Sequence, residues 1–303
     1  MKQWGNSREL TKKSYDLVKE NPGVTRWTVR AAIHGALFGA LGVLPGLVLF
    51  VLGGDLLEGD SDTLGIVLLA LAVVLLVGGG LAGLTAANLQ MAGLVHVADD
   101  VLHGREPDEE AARAAAHSHL RTLAAWSAIS MAVSGLVSMI QGDGNSGFLV
   151  SIVRSLLAGL VATVWAVVTT LVMPVMVLER AGAVAAIKRS ASIVRGTWGE
   201  ALLGGVRIGA HFGLMFILPG VLLLAAGVAI AVGIGGATVI AGVVLAMVGI
   251  ALMVVGAVRA ATCRNVFGVA LYRWATGEGA LGPFNEDELR GAVQTKNQPV
   301  LTA

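Results

Sequence analysis

The sequence predicts an all-α fold of six transmembrane helices, and three observations carry that prediction. Hydrophobic residues make up 55% of the 303-residue chain and charged residues 14%, with a mean hydropathy of +0.78. Such a composition lies outside the soluble globular range. Six apolar runs, near 29–53, 63–93, 120–141, 148–178, 203–233 and 236–260, each reach the ~20 residues that cross a bilayer as a helix. Of the 21 Lys and Arg residues, 20 fall on one side of those runs, and cationic connections stay cytoplasmic during insertion.

Lys2, Arg8, Lys12, Lys13, Lys19, Arg26 and Arg30 precede or open the first span. Arg105, Arg113 and Arg121 occupy the second connection, and Arg180, Lys188, Arg189, Arg195 and Arg207 the fourth. Arg259, Arg264, Arg273, Arg290 and Lys296 follow the last span, whereas the connections 53–62, 141–147 and 233–236 carry no Lys or Arg. Both termini are therefore expected in the cytoplasm, with the chain multi-pass in a prokaryotic inner (plasma) membrane. Arg154, near the outer end of the fourth span, is the exception and can snorkel to the headgroups. No small-residue cleavage site follows the first run, so no secretory signal peptide is expected.

Within the spans, Pro45, Pro174 and Pro219 predict kinks, and Gly78-Gly79-Gly80 predicts a break in the second. Gly35, Gly39, Gly42 and Gly46 recur on one helical face, as do Gly242, Gly249 and Gly256. Both stripes predict close helix–helix contact within the chain.

An internal repeat organises the whole. Lys12-Lys13-Ser14, Leu17-Val18-Lys19 and Gly23 match Lys188-Arg189-Ser190, Ile193-Val194-Arg195 and Gly199 without a gap. Arg30 and His34 recur as Arg207 and His211, and Leu44-Pro45-Gly46 as Leu218-Pro219-Gly220. The basic segments read as amphipathic helices lying in the cytoplasmic interface; in the second, Val184, Ile187, Ala191 and Val194 line one face while Lys188, Arg189 and Arg195 occupy others. Pro107 followed by Asp108, Glu109 and Glu110 opens a shorter counterpart. The expected organisation is one six-helix membrane domain over 1–277, in units of about 7–104, 105–180 and 181–277, with a partly disordered cytoplasmic tail over 278–303. Asn285-x-x-Glu288 predicts one short helix in that tail, with Leu289 and Val293 inward.

Several of these motifs carry a resemblance. Pro174-x4-Glu179, Ala186-Ile187-Lys188-Arg189-Ser190, Thr197-Trp198-Gly199 and Tyr272-Arg273-Trp274-Ala275-Thr276-Gly277 resemble a family of six-span bacterial and archaeal membrane proteins, a domain of unknown function. The repeated basic helix is more distantly similar to the membrane domain of some glycerophosphodiester phosphodiesterases. The resemblance covers about 7–280, strongest in 165–277; it implies a polytopic membrane protein and supplies no catalytic residues. The soluble phosphodiesterase domain of the distant relatives has no counterpart in these residues, so their activity does not carry over.

Two constellations invite chemistry. Lys12, Lys13, Arg30, His34, Lys188, Arg189, Arg207 and His211 form a candidate anionic-lipid site, an Arg–His pair one turn apart being suited to a lipid phosphate. The bland alternative is snorkelling Arg and interfacial His. His96, Asp100 and His103 share a helical face and offer Zn²⁺ or Mn²⁺ ligand types, against the alternative of a solvated polar helix. Glu179 is expected to pair with Lys188 or Arg189.

No P-loop, GxSxG, HExxH or supported Ser/Lys dyad occurs, and the single Cys263 excludes an intramolecular disulfide. Cofactors and nucleic-acid partners are not expected, because the basic residues follow the membrane boundary. The reading is a non-enzymatic integral membrane protein that binds anionic lipids or a membrane protein partner. A small-solute or lipid transporter is the alternative, weakened by the lack of a mid-membrane carboxylate. A metal-dependent membrane enzyme is the third reading.

Overall fold

The computed structural model describes residues 12–57, 62–142, 148–198, 212–233 and 238–293, and every regular element among them is helical. The described part of α1 covers 12–20. Then follow α2 (Pro22–Leu57), α3 (Asp62–Leu102), α4 (Glu109–Ser118), α5 (Leu120–Gln141), α6 (Phe148–Val168), α7 (Val172–Leu178) and α8 (Ala183–Trp198). A π-helical turn (Gly213–Ile217) leads into α9 (Leu218–Gly233), and α10 (Thr238–Ala275) and α11 (Glu286–Val293) complete the order. Six segments are long and apolar enough to cross a membrane: α2, α3, α5, Val150–Leu178, Gly213–Gly233 and α10. These are the helices of a multi-pass membrane protein.

Three of the spans overrun their expected ends. Pro22 opens α2, where its missing N–H costs nothing, and Val24, Trp27 and Ala31 bury one stripe of that added helix. α3 runs on to Leu102 behind buried Leu94, Val95 and Ala98, and α10 to Ala275 behind buried Val266, Val269 and Ala270. Within the most apolar stretch of each span only 6–17% of residues are buried, and side chains such as Leu41 (68% exposed) and Ile240 (72%) point outward. Lipid is the solvent those faces suit.

The chain divides into two compact units. One holds Val29–His96 and Asp108–Ser192. Here α2 and α3 meet backbone to backbone: a Cβ on Gly79 would lie 2.7 Å from the Gly42 Cα, and one on Gly83 2.7 Å from the Gly35 carbonyl oxygen. The glycine triplet therefore does not break the second span. α3 passes through it unbroken, and Gly79 serves as the contact surface for α2. Asn88 of α3 donates to the Ser127 hydroxyl of α5 (2.9 Å), and Trp126 stacks on Trp165 between α5 and α6 (5.8 Å). The expected kink at Pro45 does not interrupt α2, whereas Pro174 sits just past the break between α6 and α7.

The other unit holds Met1–Thr28, Val97–Pro107 and Ile193–Ala303. Its glycine stripe works the same way: a Cβ on Gly249 would lie 2.6 Å from the Gly220 carbonyl oxygen, and one on Gly242 2.6 Å from that of Gly227. The kink expected at Pro219 takes the form of the π turn just before it. In the segment after α10, two side chains are buried. Phe284 meets Phe267 edge to face (6.1 Å), Leu289 is fully buried, and a Cβ on Gly282 would touch Leu102.

A side chain at Gly79 must push two backbones apart, whereas Gly78, one residue away, has open space around it. Gly79→Leu is expected to destabilise the hairpin by about 1–3 kcal/mol, with Gly78→Ala near neutral. Thermal unfolding in mild detergent compares the two.

Candidate functional site at the charged helix ends

Asp99, near the end of α3, is the most buried carboxylate of its surroundings, its side chain 8% exposed. Arg273 of α10 grips it with both arms, Nε donating to Oδ1 (2.7 Å) and a terminal nitrogen to Oδ2 (2.9 Å). Arg105 donates to the same Oδ2 (3.2 Å) and to Asp100 Oδ1 (2.9 Å). Glu278 accepts from the remaining edge of Arg273 and lies 3.4 Å from His103 Nε2. His103 Nδ1 donates to the Asp99 carbonyl (2.7 Å). Three carboxylates thus meet two guanidiniums and one imidazole. Arg suits this place because its planar fork matches a carboxylate in two parallel bonds.

That arrangement engages two of the three residues of the metal reading. Asp100 is engaged by Arg105, and His103 by the Asp99 backbone with Glu278 alongside. Among the described residues, no group of three His, Cys, Asp or Glu side chains is placed to hold a metal ion. Asp99 and Arg273 themselves carried no expectation as a site. The available signal was an acid and a base each ending the second helix of a hairpin, 174 residues apart.

The residues expected to bind lipid fare differently. Lys12 and Lys188 are exposed, Lys13 is half-buried, and Arg189 donates to Glu179 (3.2 Å). Arg30 of α2 donates to Glu109 of α4 (3.2 Å), and His34 Nδ1 donates to the Arg30 carbonyl (2.7 Å). Arg207 and His211 lie outside the described residues, as does the Glu200 end of the segment after α8. Half-exposed pairs such as Arg30–Glu109 contribute roughly 0–1 kcal/mol, but Glu109 neutralises the Arg30 charge. At the far end of the third and fourth spans, Arg154 reaches back to the Gly142 cap of α5.

α8 buries Ala183, Ala186, Ser190, Ile193 and Val194, leaving Val184 57% exposed and Lys188 and Arg195 outward. The buried face is built largely of small residues, which permit close approach. Ser190 exploits it, donating to the Val168 carbonyl (2.5 Å) and accepting from the Leu171 N–H (3.3 Å). Those are the backbone groups freed by the α6–α7 break, which lipid would leave unsatisfied. In α4, Asp108 caps as expected, accepting from the N–H groups of Glu110 and Ala111 (both 2.9 Å).

A model of the family of unknown function DUF6159 matches residues 87–282, about two thirds of the chain and all of the structure from the end of α3 to the start of the α11 segment. The chain belongs to that family. No curated protein and no solved structure matches it. The DUF6159 region contains Asp99, Arg105, Ser190, Arg273 and Glu278 together, so both the ion network and the span-break bond fall inside the family's domain.

Removing one partner of a buried pair leaves the other charge uncompensated, at about 3–5 kcal/mol. Arg273→Gln is expected to cost an amount of this order and Arg105→Gln far less, because its guanidinium is half-exposed. Denaturant unfolding of each variant measures the difference.

His119, at the junction of α4 and α5, is buried beside the Arg180 charge; burial first, then Arg180, hold its imidazole below the usual 6.5. The unfolded chain therefore binds a proton that the folded chain resists. Stability is expected to fall as pH drops below about 6.5, and His119→Gln removes that part of the dependence in melting curves between pH 7.5 and 5.

Proposed function

We propose that this is a non-enzymatic integral membrane protein whose charged end faces the cytoplasm and associates with anionic lipid headgroups. One observation carries the reading: Lys12, Lys19, Arg113, Lys188 and Arg195 are exposed, and among the described residues none has a carboxylate partner. They sit on three short helices (α1, α4 and α8), each of which immediately precedes a span or its connection. Cations with no acid to neutralise them attract an anionic leaflet by roughly 1 kcal/mol each.

Parallel burial supports the proposed repeat. Ser14, Leu17 and Val18 are buried as Ser190, Ile193 and Val194 are, with Lys12 and Lys19 exposed as Lys188 and Arg195 are. The apolar face of each helix is used within the protein, so attachment to lipid rests on charge and less on insertion. Arg30 and His34 contribute little to this set, since Glu109 and the backbone engage them. A partner protein with an acidic surface is recognised by the same faces.

The triple variant Lys12→Glu, Lys188→Glu, Arg195→Glu is expected to lose more than ~10-fold of the preference for phosphatidylglycerol over phosphatidylcholine. Native mass spectrometry of lipid retained from mixed nanodiscs reads it. An unchanged preference overturns the reading.

A further inference from the structure

Arg259 has an unusual setting. It lies about 21 residues past Thr238, some ~30 Å along α10, which is the thickness of the hydrocarbon layer. Its guanidinium therefore sits at headgroup level. The Tyr15 ring of α1 lies 5.9 Å from its Cζ and the Phe216 ring of the π turn 5.4 Å. Phe216 is fixed in turn, pressed on Gly256 and stacked on the buried Phe212 (6.2 Å). Among the described residues no hydrogen bond and no carboxylate meets the Arg259 side chain.

Aromatic rings engage the faces of a guanidinium; its five N–H donors lie in its plane, at the edge. The two rings thus flank the Arg259 guanidinium, and among the described residues its donors meet no oxyanion. Two more cations share the Tyr15 face: Lys12 at i−3 and Lys19 at i+4, both exposed and without carboxylate partners. Of the acids of α1, Asp16 lies one turn from both Lys12 and Lys19, yet among the described residues no ion pair joins it to either, and Glu20 lies further round the helix.

We propose that Arg259, Lys12, Lys19 and the Tyr15 hydroxyl form a phosphate-binding site, occupied by the phosphate of an anionic lipid headgroup. The inference rests on the reading that this end meets an anionic leaflet, and it adds a defined site to a diffuse attraction. The planar fork selects a phosphate it can grip with two parallel bonds, which a point charge cannot reproduce.

The test is native mass spectrometry of the full chain from nanodiscs of phosphatidylcholine containing phosphatidylglycerol. Arg259→Gln is expected to lower bound phosphatidylglycerol by ~10-fold or more. Arg259→Lys keeps the charge without the fork and is expected to recover only part of it. Tyr15→Leu, which leaves every charge in place, is expected to cost several-fold and covers the event that Arg259→Gln fails to fold. Equal retention by wild type and folded Arg259→Gln overturns the site while the broader lipid preference stands. A wild type with no phosphatidylglycerol preference overturns the broader reading and the lipid occupant together. In lipid-depleted detergent, inorganic phosphate bound by wild type and lost in Arg259→Gln, with no lipid retained, overturns the lipid as occupant.

Discussion

Asp99 holds the ends of α3 and α10 in one arrangement. A carboxylate removed from water is tolerated only if other charges and donors replace its hydration, and Arg273, Arg105 and the neighbouring His103 do so. Satisfying Asp99 fixes the end of α3 against the end of α10 and positions Glu278, from which the chain continues through Gly282 to the buried Phe284 and Leu289. The segment after the last span is thus organised around one acid. In a chain whose spans bury so little of themselves, such polar fixing matters more than it does in a water-soluble domain.

The spans, their glycine contacts and the capped start of α4 were legible in the sequence, because hydropathy, small-residue spacing and capping chemistry are local signals. The Gly78–Gly80 break was misread for a physical reason. In water a glycine triplet weakens a helix, but in lipid the backbone has no other hydrogen-bonding partner, and Gly79 is needed for contact with Gly42. The buried face of α8 had no signal in hydrophobic bulk, because close packing there selects Ala and Ser beside Ile193 and Val194. The Asp99–Arg273 pair and the cation–π contacts of Arg259 with Tyr15 and Phe216 were out of reach. Neither has a local signature, since each joins elements distant in the chain.

Cations at this end serve two roles. Arg105, Arg189 and Arg273 are matched to carboxylates and build structure. Lys12, Lys19, Lys188 and Arg195 are exposed and unmatched among the described residues, and Arg259 is flanked by two rings. The positive-inside pattern that orients a membrane protein thereby conceals a division of labour that sequence counts cannot separate. Ser190 shows the same economy at a neutral group: one hydroxyl on a basic helix satisfies two backbone groups at a break in the adjacent span.

The glycine contacts also bear on how the chain assembles. Gly42 with Gly79 and Gly220 with Gly249 join helices that are neighbours in sequence, so these two hairpins can close as soon as both their helices are in the bilayer. The Thr28 and Thr262 hydroxyls, 2.8 Å apart, are separated by 234 residues, and Asp99 and Arg273 by 174. Those contacts wait for the last helix to leave the ribosome. Local pairing precedes distant pairing wherever loop closure must be overcome, so the ion network is a late-forming lock on hairpins already made. Until it closes, Asp99 remains a solvated acid at the membrane boundary, and the half-built protein has no buried charge to carry.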